Sequence, residues 1–145
     1  MNNGNDEDGV WFGTPDMSPT PNFVLLILTA GWAYEGWVVG DSGPLSTDSF
    51  TVFDAVDSGA PFSGASAGSP VPCEDSFENP PAGGTFPLDV RGRTVVISVE
   101  PVPDDTPAPF VLKPLVGTAD NDTGPATHAF GSNLAPLPSG SITRN

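Results

Sequence analysis

The chain has 145 residues, with 18 Asp and Glu against four Lys and Arg, for a formal net charge of -14. A field of that sign repels phosphate backbones and anionic lipid head groups, which excludes nucleic acid as a partner. The length suits one domain, and its 17 Gly and 18 Pro approach the range of disordered chains, yet aromatic and β-branched clusters that disordered chains lack recur throughout.

Residues 1–9 (MNNGNDEDG) are polar and acidic and read as a flexible tether. Such a start resembles a mature secreted or lipid-anchored chain after its targeting segment has been removed. Residues 10–145 are expected to form a single β-sandwich domain. Its first strand is VWF, stopped by Gly13 and Pro15. Residues 23–29 are a continuous apolar run, as expected for a strand covered on both faces, with a short buried helix as the alternative. The run is far short of the roughly 20 residues a membrane span needs.

Residues 32–39 (WAYEGWVV) predict a strand with Trp32, Tyr34, Gly36 and Val38 on one face and Ala33, Glu35, Trp37 and Val39 on the other. Gly36 leaves room for a neighbouring aromatic ring. A turn of about five residues at 40–44 then leads into a strand over 45–53, giving a hairpin. Residues 54–85 are irregular and rich in small residues, Pro and Gly, with Phe62 and Phe77 as anchors to the core. A loop of this length is the expected contact surface.

Residues 86–90 lead to a turn at Arg91-Gly92. Residues 94–101 (TVVISVEP) read as the central strand, with Val95, Ile97 and Val99 opposite Val96, Ser98 and Glu100. Residues 110–117 predict an edge or bulged strand interrupted by Pro114, and residues 141–144 a last short one. About seven strands and little helical periodicity indicate an all-β, antiparallel, immunoglobulin-like sandwich.

Candidate chemistry is sparse. Cys73 has no second cysteine to pair with and lies among acids that raise a thiol's pKa, so it is a poor nucleophile. A Ser-His-Asp arrangement would need His128, the only histidine, and no nucleophile-elbow sequence accompanies it. Glu35 and Glu100 are the one candidate pair for glycosidase chemistry. The simpler reading is structural, an inward glutamate matched by Arg91 or Arg93, because a buried carboxylate needs a partner. Asp120, Asn121 and Asp122 form the best candidate cation loop, for a structural calcium. Asp6, Glu7 and Asp8, and Asp104 with Asp105, are lesser ones; none has EF-hand spacing. Asn121 also opens an N-glycosylation pattern, Asn-Asp-Thr. Trp11, Trp32, Tyr34 and Trp37 are aromatic candidates for sugar or peptide stacking, with core packing the commoner role on strands. No organic cofactor motif is found.

Three segments in order carry a resemblance: Tyr34, Glu35 and Trp37; then Pro44, Ser46 and Phe50; then Glu100 and Pro101. Together they resemble the extracytoplasmic C-terminal domain of anti-sigma-K-type factors. The chain is similar above all to secreted or lipid-anchored bacterial proteins carrying that domain alone. Those share GVWF-like openings, APFSG, GGTFPLD-like and PAPFVLKPLVG-like segments and a SGSITR-like end, so the resemblance spans residues 10–144. It implies a β-sandwich outside the cytoplasm, a role in binding or sensing without catalysis, and Tyr34, Glu35, Trp37, Glu100 and Pro101 as a fold signature. Two departures stand out. The family pattern has Gly where this chain has Asp48, and the cytoplasmic sigma-binding helices and membrane span of true anti-sigma factors are missing from these residues. Sigma-factor inhibition therefore does not carry over. The alternative reading is a self-assembling surface protein, joined by edge strands or by exchange of an arm over residues 1–22, with Val10, Trp11 and Phe12 in a neighbour's groove.

Overall fold

The computed structural model describes residues 7–14, 20–21, 23–59, 61–63, 71–74, 77–122, 124, 126–135 and 139–144. Seven extended segments occur among them: β1 (Val10–Trp11), β2 (Trp32–Gly40), β3 (Gly43–Phe50), β4 (Cys73–Glu74), β5 (Thr94–Pro101), β6 (Leu115–Thr118) and β7 (Gly131–Ser132). Five of them build one antiparallel sheet in the order β3-β2-β5-β6-β7, while β1 and β4 pair by two residues each. The described residues contain no helix, and so none long and apolar enough to cross a membrane.

Strands β2 and β5 form the middle of the sheet because both carry apolar residues on both faces. Their register places Tyr34 opposite Val99, Gly36 opposite Ile97 and Val38 opposite Val95 on one face. This face is the base of the hydrophobic core. Phe12, Phe50, Phe77, Leu88 and Val90 close over it from β3 and from the connecting segments. Phe23, Phe62, Phe86 and Phe130 add a second tier of rings, with centroids about 6 Å apart in tilted and edge-on pairs. Gly36 leaves the expected space: a Cβ there would overlap the Phe12 ring and Thr47 Oγ1.

The β2–β3 hairpin forms as predicted but turns more tightly. Gly40 pairs with Gly43, so the connection is Asp41-Ser42, and Gly43 has φ 130, a conformation glycine allows. Pro44 sits inside β3 instead of ending the turn. It is tolerated because β3 is the sheet's edge and its proline needs no outward donor. Further on, Glu35 pairs with Ser49 but Trp37 with Ser46, an extra residue on β3. Asp48 occupies this bulge with φ 80, the left-handed conformation that bulges often assign to glycine. It is the position where the resembled pattern has Gly. Asp48 holds the geometry with its own carboxylate, which accepts from Ser49 N at 2.6 Å and Ser58 Oγ at 2.5 Å.

Other segments depart from expectation. Residues 23–29 are neither strand nor helix. Phe23, Leu25 and Leu28 pack on the core, whereas Val24, Leu26 and Ile27 are 87%, 82% and 97% exposed. The uniform apolar run conceals these two environments, since its composition is the same on both sides. Residues 110–113 lie outside the ladder, and β6 begins only after Pro114, which has no N–H to give. Residues 141–144 are exposed and form no strand. Residues 7–9, expected within a free tether, are held: the Glu7 carbonyl accepts from Val90 N at 2.8 Å and that of Asp8 from Phe77 N at 2.6 Å. Residues 1–6 of that tether lie outside the described residues.

Candidate functional site

The second face of the sheet carries the sequence signature. Its register sets Ala33 opposite Glu100, Glu35 opposite Ser98 and Trp37 opposite Val96. Trp37 is buried, and its indole N–H donates to Ser98 Oγ at 2.8 Å. The Ser98 hydroxyl donates to Glu100 Oε1, which also accepts the Phe110 backbone N–H at 2.8 Å. Ser46 Oγ donates to Glu35 Oε1. Tyr34, on the core face, sends its hydroxyl to the Leu26 carbonyl at 2.7 Å. Burial raises the Tyr34 phenol's pKa. Pro101 ends β5 beside Trp32.

The two glutamates are buried, Glu35 at 8% and Glu100 at 1% exposure, and the arginines expected to match them are elsewhere. Arg91 forms a salt bridge with Asp89 at 2.6 Å and Arg93 one with Asp41 at 2.9 Å. Arg91 holds the Asp89 carboxyl down at about 2. The glutamates instead accept from serines and a main-chain amide, which bond one oxygen of each carboxyl, Oε1, without a counter-charge. Burial pushes the Glu35 carboxyl up to about 7, opposed by the Ser46 hydrogen bond and reinforced by the neighbouring charges of Asp104 and Glu100. Glu100 Oε2 is buried with no hydrogen-bond partner. A glycosidase dyad needs two carboxylates facing a sugar-sized cleft; these two lie beneath the surface.

A cavity of about 140 Å³ opens on the other side of the molecule. Glu7, the β1 residues, Val90 and Arg91 line it from one part of the chain, and the end of β6 with Ala119, Asp120, Asp122, Gly124 and residues 126–130 from another. Val10, Phe12, Val95 and Phe130 make its apolar floor, while Asp120, Asp122 and His128 lie at its polar side. His128 Nδ1 is 3.6 Å from Asp120 Oδ2. The cavity lies where β1 and residues 126–130 come together over the core, with Phe12 buried in that core and Phe130 packed against it. Phe12 and Phe130 then meet with ring centroids 5.9 Å apart.

Asp120, Asn121 and Asp122 are therefore brought to this cavity or beside it, along with Trp11 and His128. All three are exposed, and no three Asp, Glu, His or Cys side chains among the described residues converge as metal ligands. Thr123, the last residue of the glycosylation pattern, lies outside the described residues. Trp32 faces Phe110 at the far end of β2, with ring centroids 6.1 Å apart, and shares no site with Trp37. Cys73 lies in β4, paired with Trp11. Sequence reasoning named Ser46 and Ser98 but missed them as the partners of the glutamates. The readable signal for Ser98 was a hydroxyl two residues before Glu100 on the same face of the strand.

No protein-family model, no curated protein and no solved structure matches this chain.

Proposed function

We propose that this chain is a non-enzymatic ligand-binding β-domain acting outside the cytoplasm, related to the C-terminal domains of anti-sigma-K-type factors. In this reading the β1–β4 pair and its flanking segments stand for the second layer of an immunoglobulin-like sandwich. The observation that carries the binding role is the cavity beside β1. It combines an apolar floor with a few convergent polar groups, the usual make-up of a small-molecule site. The signature residues Tyr34, Glu35, Trp37 and Glu100 support the fold and stay out of the site: none of them lines the cavity, and they bond to Ser46, Ser98 and the main chain instead. The high negative charge fits a secreted or lipid-anchored protein.

The test is an amide-resolved NMR titration of the full chain with a set of small charged and neutral fragments. Shifts confined to Gly117, Thr118, Ala119 and the 126–130 segment are expected. Shifts elsewhere only, or none with any fragment, would reject the site.

Self-association is a second reading, favoured by the side-by-side exposure of Val24, Leu26 and Ile27, since contiguous exposed apolar surface marks interaction sites. The routes first expected for it fare less well. Phe12 of the supposed donated arm already fills the chain's own core, and edge strand β3 carries Pro44 and a bulge, two devices that discourage strand addition. Sedimentation at rising concentration decides: oligomers that Ile27→Ser dissolves would support this reading, and a monomer throughout would end it.

A further inference from the structure

We infer that the cavity beside β1 takes a small organic cation, a protonated amine on an apolar body about the size of a benzene ring. This inference rests on the reading of the chain as a ligand-binding domain and names the chemistry of that same site.

Size comes first. A volume of about 140 Å³ is close to the roughly 150 Å³ of an apolar cavity known to accept benzene. The floor has matching chemistry, since Val10, Phe12, Val95 and Phe130 offer hydrocarbon only. The sequence protects this shape at Gly117: a Cβ there would come within 3.2 Å of Phe130 Cδ1. A larger residue would therefore push the Phe130 ring away from β6.

Charge selects among ligands of that size. Glu7, Asp120 and Asp122 line the cavity against a single guanidinium, Arg91. That guanidinium is already engaged, with Nη2 at 2.6 Å from Asp89 Oδ2 and Nε at 2.9 Å from Asp89 Oδ1. The potential at the mouth is thus negative, and the net charge of -14 on the whole chain adds to it. An anion is repelled. A neutral hydrocarbon fills the floor but takes water from the carboxylates without replacing it. An ammonium group above a hydrocarbon body satisfies both regions, with Asp120 and Asp122 as its acceptors. The His128 ring stands beside Asp120 and, when neutral, has an acceptor nitrogen to offer as well.

The experiment compares benzylammonium, benzyl alcohol and benzoate in parallel NMR titrations of the full chain. Benzylammonium is expected to saturate in roughly the millimolar range or below, as suits so small a ligand. Benzyl alcohol should bind about fivefold more weakly, and benzoate should not saturate. The double variant Asp120→Asn/Asp122→Asn should weaken benzylammonium about fivefold and leave benzyl alcohol unchanged, and added salt should mimic it. Both substitutions are at exposed positions, so the spectrum itself verifies the fold. Equal binding of the three probes, or indifference of benzylammonium to the double variant, overturns the cation assignment while the cavity stands as a binding site. Absence of shifts at the cavity with all three probes overturns both.

Discussion

The two faces of the five-stranded sheet are buried by opposite means. The core face is closed by hydrocarbon: aliphatic residues of β2 and β5 lie under a tier of phenylalanines supplied by segments far apart in sequence. The signature face is closed by polar contacts in which an indole and two serines engage one oxygen of each of two carboxyls. The first arrangement tolerates irregular connections, because dispersion and hydrophobic burial are non-directional. The second fixes register, because a slip of one residue would turn Glu35, Ser98 and Glu100 onto the core side. One face supplies most of the stability and the other specifies the pairing.

The largest effect tests the core face. Phe77→Ala, at a fully buried ring stacked near Phe62 and Phe86, should cost about 3–5 kcal/mol in urea unfolding. A loss below about 1 kcal/mol would show that the loop tier contributes little.

The next concerns Glu35 and has a defined sign. Its carboxyl is raised from 4.5 to about 7 in the folded chain, so the folded state retains a proton that the unfolded state releases. Its contribution to stability is therefore greatest below pH 4.5 and declines as pH rises to about 7. Glu35→Gln keeps an acceptor for Ser46 and removes the charge. It should stabilise the protein by up to about 3 kcal/mol at alkaline pH and flatten that part of the pH profile. A profile unchanged by the substitution would assign the pH dependence to other groups, such as Asp8, whose carboxyl burial also raises.

Trp37→Phe keeps the ring in place but removes the donor to Ser98. It should cost about 1–2 kcal/mol, and the extra substitution Ser98→Ala should add less in the variant than in the parent, as befits a shared network. The smallest effect belongs to Ile27→Ser, on neither face, which should change monomer stability by no more than about 0.5 kcal/mol.

How much of this was legible depended on whether the signal was local. Strand β5 could be placed residue by residue because TVVISVEP alternates cleanly and ends in proline. The hairpin was legible in kind, but Pro44 looked like a stop because nothing in the sequence shows that β3 is an edge. Residues 23–29 misled because hydrophobic content reports burial on average, and only the positions of Phe23, Leu25 and Leu28 against distant rings decide which side turns inward. Strands β4 and β7, two residues each, are too short for any periodicity. Tyr34, Glu35, Trp37 and Glu100 were recognisable as a structural set, and Ser46 stood in the same pattern, yet the pairing of the serines with the glutamates was not legible. The cavity was invisible in advance because its lining comes from the neighbourhood of β1, from Val90, Arg91 and Val95, and from the end of β6 with residues 126–130, and nothing in any one segment announces the others.

The pairing of β2 with β5 joins residues 32–38 to residues 95–101. The β2–β3 hairpin closes through a two-residue turn and needs no distant help, so it is the natural first event when the chain collapses. Docking β5 must then enclose the whole intervening excursion, with its entropic toll in time as well as in free energy. Refolding should accordingly show a fast local phase and a slower barrier governed by that closure. Shortening the 54–70 stretch would accelerate the slow step while leaving the fast one untouched.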